Sequence, residues 1–273
     1  MPFGKFLESI DPVLFDDYKI DRMKGRTSKK SIVVPDMSKS IERLNQIADE
    51  NELLAGTKNI LEMPDDVRQY ILSRKIPNEI VWKYFRYTDD FRALANRICP
   101  DTFAADALKF KEQRLVILMY DFDGSLLGIQ GRSLNPKSRA KYITIKRPDK
   151  SKKIFGLDRI DRRREVIVLE GPIDSCFVEN GIGVCGADLV SQVRDMKIDP
   201  VFCFDNEPFS PIITKKVGAA IDAGLKVVVY DRNVRQKDIN DMVLAGIDVN
   251  DMIKRRTFFG LRARVEFTKW KRC

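Results

Sequence analysis

The sequence predicts an α/β protein in which an open parallel sheet flanked by helices follows a mixed α+β basic subdomain. From residue 165 onward, short apolar runs alternate with helical patterns in the order EVIVLEG, IDSCFVEN, GVCG, VFCFDNE, SPIITKKVGAAIDAGL, KVVVYD and DINDMVLAG. Runs of this kind suit strands buried on both faces of a parallel sheet, with helices as the covering layers. Upstream, RLVILMYDFDGSLLGIQGR reads as two strands about a turn at Asp123 and Gly124, because Asp-Gly readily takes the positive φ angles of a tight hairpin.

Residues 24–40, KGRTSKKSIVVPDMSKS, are basic and Ser-rich with one Pro, so residues 1–40 read as an N-terminal segment and an extended tether. Residues 41–112 carry a helical pattern, in which DDVRQYILSRK places Val67, Tyr70, Ile71 and Arg74 on one face and IPNEIVWKYFRY follows a Pro break. Trp82, Phe85 and Tyr87 are expected in packing rather than in base stacking. KYITIK, residues 141–146, is a third strand, and the mixed basic subdomain closes at residue 160. In the parallel sheet of residues 161–251, Val166 to Leu169, Val201 to Phe204 and Val227 to Tyr230 are central strands. The tail, 252–273, interleaves basic residues with Phe258, Phe259 and Trp270, which suits single-stranded nucleic acid, a protein partner or an amphipathic closing element.

The chain has 273 residues, 49 Lys and Arg against 40 Asp and Glu, and no His. Without an imidazole there is no His-based triad, no HExxH protease and no Cys/His zinc finger. Cys99, Cys176, Cys185, Cys203 and Cys273 include no CxxC pair and are odd in number, which fits a reducing cytoplasm. The start lacks the pattern of a secretory leader, and no apolar run approaches the ~18 residues of a membrane span.

The net charge of +9 hides four blocks: −1 over residues 1–131, +10 over 132–164, −7 over 165–251 and +7 over 252–273. An acidic domain between basic flanks suits a protein that holds a divalent metal on carboxylates and a phosphate backbone on Lys and Arg. The acids fall at strand ends, where open parallel sheets gather their functional groups. Glu170 follows VIVL and precedes Gly171, and Asp205, Asn206 and Glu207 follow VFCF. If that strand continued, alternation would set Asp205 and Glu207 on one side and bring Glu170 within reach. Three converging carboxylates repel, and a divalent cation relieves that repulsion. Asp121 and Asp123 imitate the opening of a calcium loop, but no Glu follows at the required spacing.

Together VIVLEGPIDSCFVENGI, VFCFDNEP and KDINDM resemble the three acidic motifs of TOPRIM domains, and the wording resembles the DNA primases of the T-even-like phages. LLGIQGRSL, KYITIK and KKIFGLDRI resemble the basic subdomain of bacterial and phage primases, including a glycine-glycine-arginine type motif, and DDVRQYILSRKIPNEIVWKYF resembles its helical lead-in. The resemblance spans most of residues 60–250 and implies a primase RNA-polymerase core. It implies short RNA primers made on single-stranded DNA from ribonucleoside triphosphates, by nucleotidyl transfer dependent on Mg²⁺ or on Mn²⁺ as a substitute.

By the same resemblance Glu170, Asp205 and Glu207 are catalytic metal ligands, joined by Asp238 at the metal. Glu207 stands where most TOPRIM proteins have Asp, Asn240 replaces an acid common in bacterial relatives, and Asp241 is an N-cap or a ligand. Arg132 and Lys141 match nucleotide- and template-binding positions; Lys150, Lys152 and Lys153 compete for a third, with Lys153 favoured because it adjoins IFG. The implied partners are the template, the nucleotides, a replicative hexameric helicase and a separate zinc-ribbon polypeptide, since PFGKFLESIDPVLFDDY resembles the segment after such a ribbon and this chain holds no zinc site. The implied setting is the cytoplasm of an infected bacterium during phage DNA replication. A TOPRIM endonuclease would use the same acids to cleave rather than extend, and a non-catalytic DNA-binding scaffold would leave the basic motifs unexplained.

Overall fold

The computed structural model describes residues 37–273 apart from Ala187, together with Phe15, Asp16 and Lys19. The chain divides into two compact units, Met1–Asn45 and Gln46–Cys273, and the second holds both sheets. Up to residue 36 the expected tether lies outside the described residues, and its last four residues already belong to helix α1 (Met37–Leu53). No helix among the described residues is long and apolar enough to cross a membrane.

Helix α2 (Asp65–Ser73) starts after Pro64, carries Asp65 and Asp66 where the helix dipole favours negative charge, and buries Val67 and Ile71. Helix α3 (Asn78–Tyr84) starts after Pro77 in the same way. Its helical pattern does not continue, because Phe85–Thr88 forms strand β1. Phe, Tyr and Thr favour a pleated, half-buried surface, and β1 pairs antiparallel with the neighbouring strand while burying Phe85 and Tyr87. Trp82 departs from the packing expectation, since it is 49% exposed.

Helix α4 (Phe91–Ile98), capped by the Asp90 carboxylate on Ala93 N, and the short α5 (Ala105–Leu108) lead into β2 (Arg114–Tyr120). The hairpin to β3 (Leu126–Arg132) turns at Gly124, whose φ of +79° demands glycine. Strand β4 (Tyr142–Lys146) completes an antiparallel sheet of order β1-β2-β3-β4. Arg132 pairs with Tyr142 and Gln130 with Thr144. Residues two apart share a face, so these four form one column while Ile129 and Ile145 turn into the core.

The second sheet contains β5 (Ile154–Phe155), β6 (Glu165–Leu169), β7 (Gly181–Val184), β8 (Asp199–Cys203), β9 (Lys226–Val228) and β10 (Thr257–Phe258), in the order β10-β9-β8-β6-β7-β5. The four central strands are parallel and nearly wholly apolar, as expected; the edge strands β5 and β10 are antiparallel. Helices α6 (Pro172–Ser175), α7 (Leu189–Val193), α8 (Pro211–Asp222), α9 (Ile239–Leu244), α10 (Val249–Arg256) and α11 (Gly260–Trp270) accompany it. The segment read as a basic tail thus supplies an edge strand and a helix packed on α8. KKIFG, read with the basic subdomain, supplies β5.

Two contacts lock the sheets together. Tyr84 sets its ring edge-on to Tyr120 and Phe155, 5.8 and 5.0 Å away, and its hydroxyl donates to Asp158 (2.8 Å), which Lys83 also holds at 2.6 Å. Arg74 Nη1 donates to Asn240 Oδ1 (2.9 Å), and Asn240 Nδ2 returns a bond to Arg74 O (2.8 Å).

At the far end, buried Trp270 donates from Nε1 to Asn206 Oδ1 (2.8 Å), tying α11 to the acidic loop. Trp270→Ala is expected to destabilise the protein by about 3–5 kcal/mol in urea unfolding, the cost of an aromatic-sized core deletion. Trp270→Phe should lose about 1–3 kcal/mol, mainly because Asn206 Oδ1 is left unpaired. No loss for Trp270→Phe would show that the bond contributes nothing beyond packing.

Candidate active site

A cleft of about 500 Å³ opens where the two sheets meet, lined by Gln130, Lys141, Tyr142 and Thr144 on one side and by Glu170, Asp174, Asp205 and Asp238 on the other. The acids come from the carboxyl ends of parallel strands, where the backbone leaves the sheet and must turn into a helix. Glu170 emerges directly after β6. The chain then passes so close to β7 that a Cβ on Gly183 would collide with Gly171 O, and the one-turn helix α6 carries Asp174 into the cleft.

Strand β8 stops at Cys203, so the alternation expected for Asp205 and Glu207 does not hold. Asp205 faces the cleft, whereas Glu207 faces an adjoining cavity of about 900 Å³ lined also by Arg232, Arg235 and Arg272, and forms an ion pair with Lys237. Asn206 between them fixes the loop. Its Nδ2 donates to Val234 O (3.0 Å) and Gln236 O (2.9 Å), and its N–H donates to Lys237 O (2.7 Å). Lys237 lines both cavities.

Asp238, rather than Asp241, is the N-cap of α9: its Oδ1 accepts from Asp241 N at 2.7 Å. Asp174 Oδ1 accepts from Asn240 N at 2.9 Å, so two carboxylates share one helix start. Asp241 instead lies 3.9 Å from Arg74. Glu170 Oε2 is 3.8 Å from Lys216 Nζ, while its Oε1 is buried without a partner.

Burial pushes the Asp174 carboxyl up to about 7, aided by the charge of Asp238 and opposed by the bond from Asn240 N. Asp205 is likewise raised to about 7, by burial first and then by Glu170, Asp174 and Asp238, with Lys237 opposing. Among the described residues no three Asp, Glu, Cys or His side chains already stand close enough to cage an ion. The donor set still fits a hard divalent cation, which takes carboxylate oxygens and lifts the mutual repulsion, and Glu170 Oε1, buried without a partner, is an acceptor that such a cation would satisfy.

Across the cleft, Arg132 is buried with its guanidinium over the rings of Tyr70 (4.8 Å) and Tyr142 (4.9 Å), and its Nε has no partner. Burial lowers its pKa. Lys141 is lowered chiefly by the charge of Arg132. A buried guanidinium whose charge disfavours that of a neighbouring lysine calls for an anion. Lys150 is committed elsewhere, to Asp121 (3.5 Å) and Ser125 Oγ (3.0 Å), and Lys152 to Gln192 O (3.1 Å). Lys153 precedes β5, and its carbonyl accepts from the N–H of Cys185, a residue of the cleft wall.

Of the residues that sequence reading singled out, Glu170, Asp205, Asp238 and Lys141 line this cleft, whereas Glu207 lines the adjoining cavity and Arg132 and Lys153 are not part of the lining; sequence reading missed three contributors, Asp174, Tyr70 and Tyr142. Asp174 was legible as an acid four residues beyond Glu170, a spacing that returns a side chain to the same side once the chain coils. Tyr70 and Tyr142 had no signal, because a stacking partner depends on which strands and helices meet.

No family model matches the chain. The DNA primase of Enterobacteria phage T4 is 32% identical over 287 residues, covering 98% of this chain and 78% of that protein. The DNA primase of Campylobacter jejuni is 27% identical over 187 residues, covering 57% of this chain and 31% of that protein. Among solved structures, the RNA polymerase domain of Mycobacterium tuberculosis primase DnaG, crystallised with a double-stranded DNA oligomer bearing a 6-nucleotide overhang, aligns with a TM-score of 0.60 at 17% identity. That alignment covers 84% of this chain and 83% of the other. The architecture is therefore that of a primase RNA-polymerase core with its TOPRIM sheet. The chain belongs to the DNA primase family.

A group whose folded pKa is raised contributes stability that is present below its unfolded pKa and lost as pH rises through the folded value. For Asp174 and Asp205 that loss falls between about 4 and about 7. Asp205→Asn is therefore expected to raise the metal-free Tm by several degrees at about pH 8, with the gain shrinking toward about pH 4; 1 kcal/mol corresponds to about 2–4 °C at this size. A pH-independent difference would mean that Asp205 ionises without strain.

Proposed function

We propose that this cleft joins ribonucleoside triphosphates into RNA primers on single-stranded DNA by nucleotidyl transfer. The observation that carries the reading is one cavity that sets Asp174 and Asp205, both raised to about 7, opposite Lys141, whose charged form is disfavoured first by the buried Arg132. Acids that resist ionisation attract cations, and a buried guanidinium crowding a lysine attracts phosphate, so the cleft suits a metal-bound triphosphate.

Glu170, Asp174, Asp205 and Asp238 would hold Mg²⁺. Glu207 would have to release Lys237 to join them. Mg²⁺, when bound, supplies charge stabilisation at the phosphoryl oxygens. The chain's own contribution is placement. Arg132, its guanidinium over the rings of Tyr70 and Tyr142, would present a planar fork to phosphate oxygens, and Lys141 would add a point charge. Lys153 adjoins the cleft wall through its backbone carbonyl, which accepts from Cys185 N. Lys237, on the rim between the two cavities, is positioned to follow a charged strand across it.

The test supplies single-stranded DNA, Mg²⁺ and labelled ribonucleotides, and resolves the products by length. Wild-type protein is expected to make short RNA. Glu170→Gln and Asp174→Asn should each reduce synthesis at least a hundredfold, the scale of losing a preorganised electrostatic group, while retaining DNA binding. Nicked DNA in place of primers would overturn the reading. Arg132→Lys keeps the charge without the fork and is expected to raise the nucleotide KM about tenfold, one charge-assisted bond's worth. An unchanged KM would remove Arg132 from the phosphate site.

A further inference from the structure

One side chain in the cleft is not explained by metal or phosphate binding. Gln130 lies on β3, lines the cleft and is only 5% exposed. Its Nε2 donates to Thr144 Oγ1 (3.1 Å) on the paired strand, which fixes the amide plane, while Oε1 is buried with no donor. Buried carbonyl oxygens are almost always satisfied, and an orphan at a binding cleft marks the place of a ligand's donor.

A phosphate cannot supply that donor, because ionised phosphate oxygens only accept. In a nucleotide the donors are the ribose hydroxyls and the amino groups of some bases. Position decides between them. Gln130 is two residues from Arg132 on the same face of β3, about 6.6–6.8 Å along the strand. When Arg132 grips a phosphate, Gln130 falls at the next group along the nucleotide, the sugar. The base lies one link further away and varies, whereas the sugar is common to all four substrates. Gln130 also occupies the first position of the glycine-glycine-arginine type motif, where a glycine could offer no side-chain acceptor.

We propose that Gln130 Oε1 accepts a hydrogen bond from a ribose hydroxyl of the nucleotide in the cleft, making Gln130, with Thr144 as its positioning residue, a determinant of sugar selection. This rests on the cleft being the nucleotide site of primer synthesis. A site built to bond a hydroxyl rejects the analogue that lacks it, since binding the analogue leaves the buried acceptor unpaired.

The experiment measures kcat/KM for one-step extension with ATP, 2′-deoxy-ATP and 3′-deoxy-ATP on a single-stranded template in Mg²⁺, for wild-type protein, Gln130→Met and Thr144→Val. The deoxy analogues separate the two hydroxyls. Gln130→Met conserves volume and is expected to reduce the preference for ATP over one of the two analogues about tenfold, a single neutral hydrogen bond's worth. Thr144→Val, which releases the amide, should reduce the same preference in the same direction. Thermal unfolding shows whether each variant is folded; Gln130→Met removes an unpaired buried oxygen and should not lower Tm by more than a few degrees.

A folded, active Gln130→Met that keeps both wild-type preferences would overturn the assignment. So would a variant that loses the same factor on all three nucleotides, the mark of a purely structural role. Should Gln130→Met not fold, the Thr144→Val preference alone decides. Wild-type protein that extends nothing under these conditions would instead contradict primer synthesis itself, so the two failures are distinguishable.

Discussion

The mutual repulsion of buried carboxylates at the carboxyl ends of parallel strands is the constraint around which the second sheet is arranged. Glu170, Asp174, Asp205 and Asp238 stand around one cleft, and Asp174 and Asp205 are raised to about 7, first by burial and then by neighbouring acids. The protein tolerates this only because the strands beneath are almost wholly apolar and fix where the backbone emerges. Backbone N–H groups at the start of α9 offset part of the cost, through Asn240 N on Asp174 and Asp241 N on Asp238. Lys216 and Lys237 offset more from the rim.

The same loop that carries the acids is stiffened from behind. Asn206, flanked by Asp205 and Glu207, bonds three carbonyls of the segment leading to Asp238 and accepts from Trp270 at the end of the chain. Two acidic segments far apart in sequence are thereby held in one register, and the last helix completes the sheet that carries them. On the opposite wall, α2 delivers both Tyr70, which stacks on Arg132, and Arg74, which exchanges bonds with Asn240 of α9. The basic and acidic walls are thus joined at the point where their charges face each other.

Much of this was legible in the sequence because strand ends announce themselves. VIVLEG and VFCFDNE each show a buried apolar run meeting a carboxylate, and that juxtaposition has few structural uses. The Asp-Gly hairpin and the basic strands that follow it were equally plain. Three features were not. FRYT continues a helical pattern, and its strand depends on the edge of β2 being available for pairing. The side on which Glu207 emerges depends on β8 ending at Cys203, one residue short of the apolar run's own end. The edge roles of β5 and β10 rest on pairings with strands distant in sequence, for which two-residue segments carry no local signature.

If repulsion among these acids is what the cleft is built to present, a cation that relieves it must displace protons. Titration calorimetry of Mg²⁺ into the protein near neutral pH, repeated in buffers of different ionisation enthalpy, counts those protons directly, because carboxylate ligands must be ionised to bind metal. With Asp174 and Asp205 raised to about 7, binding should release about one proton near pH 7 and progressively fewer by about pH 9, where both acids are already ionised. Mg²⁺ binding with no proton release near pH 7, or with release that Asp205→Asn leaves unchanged, would contradict the coupling of these carboxylates to a metal site.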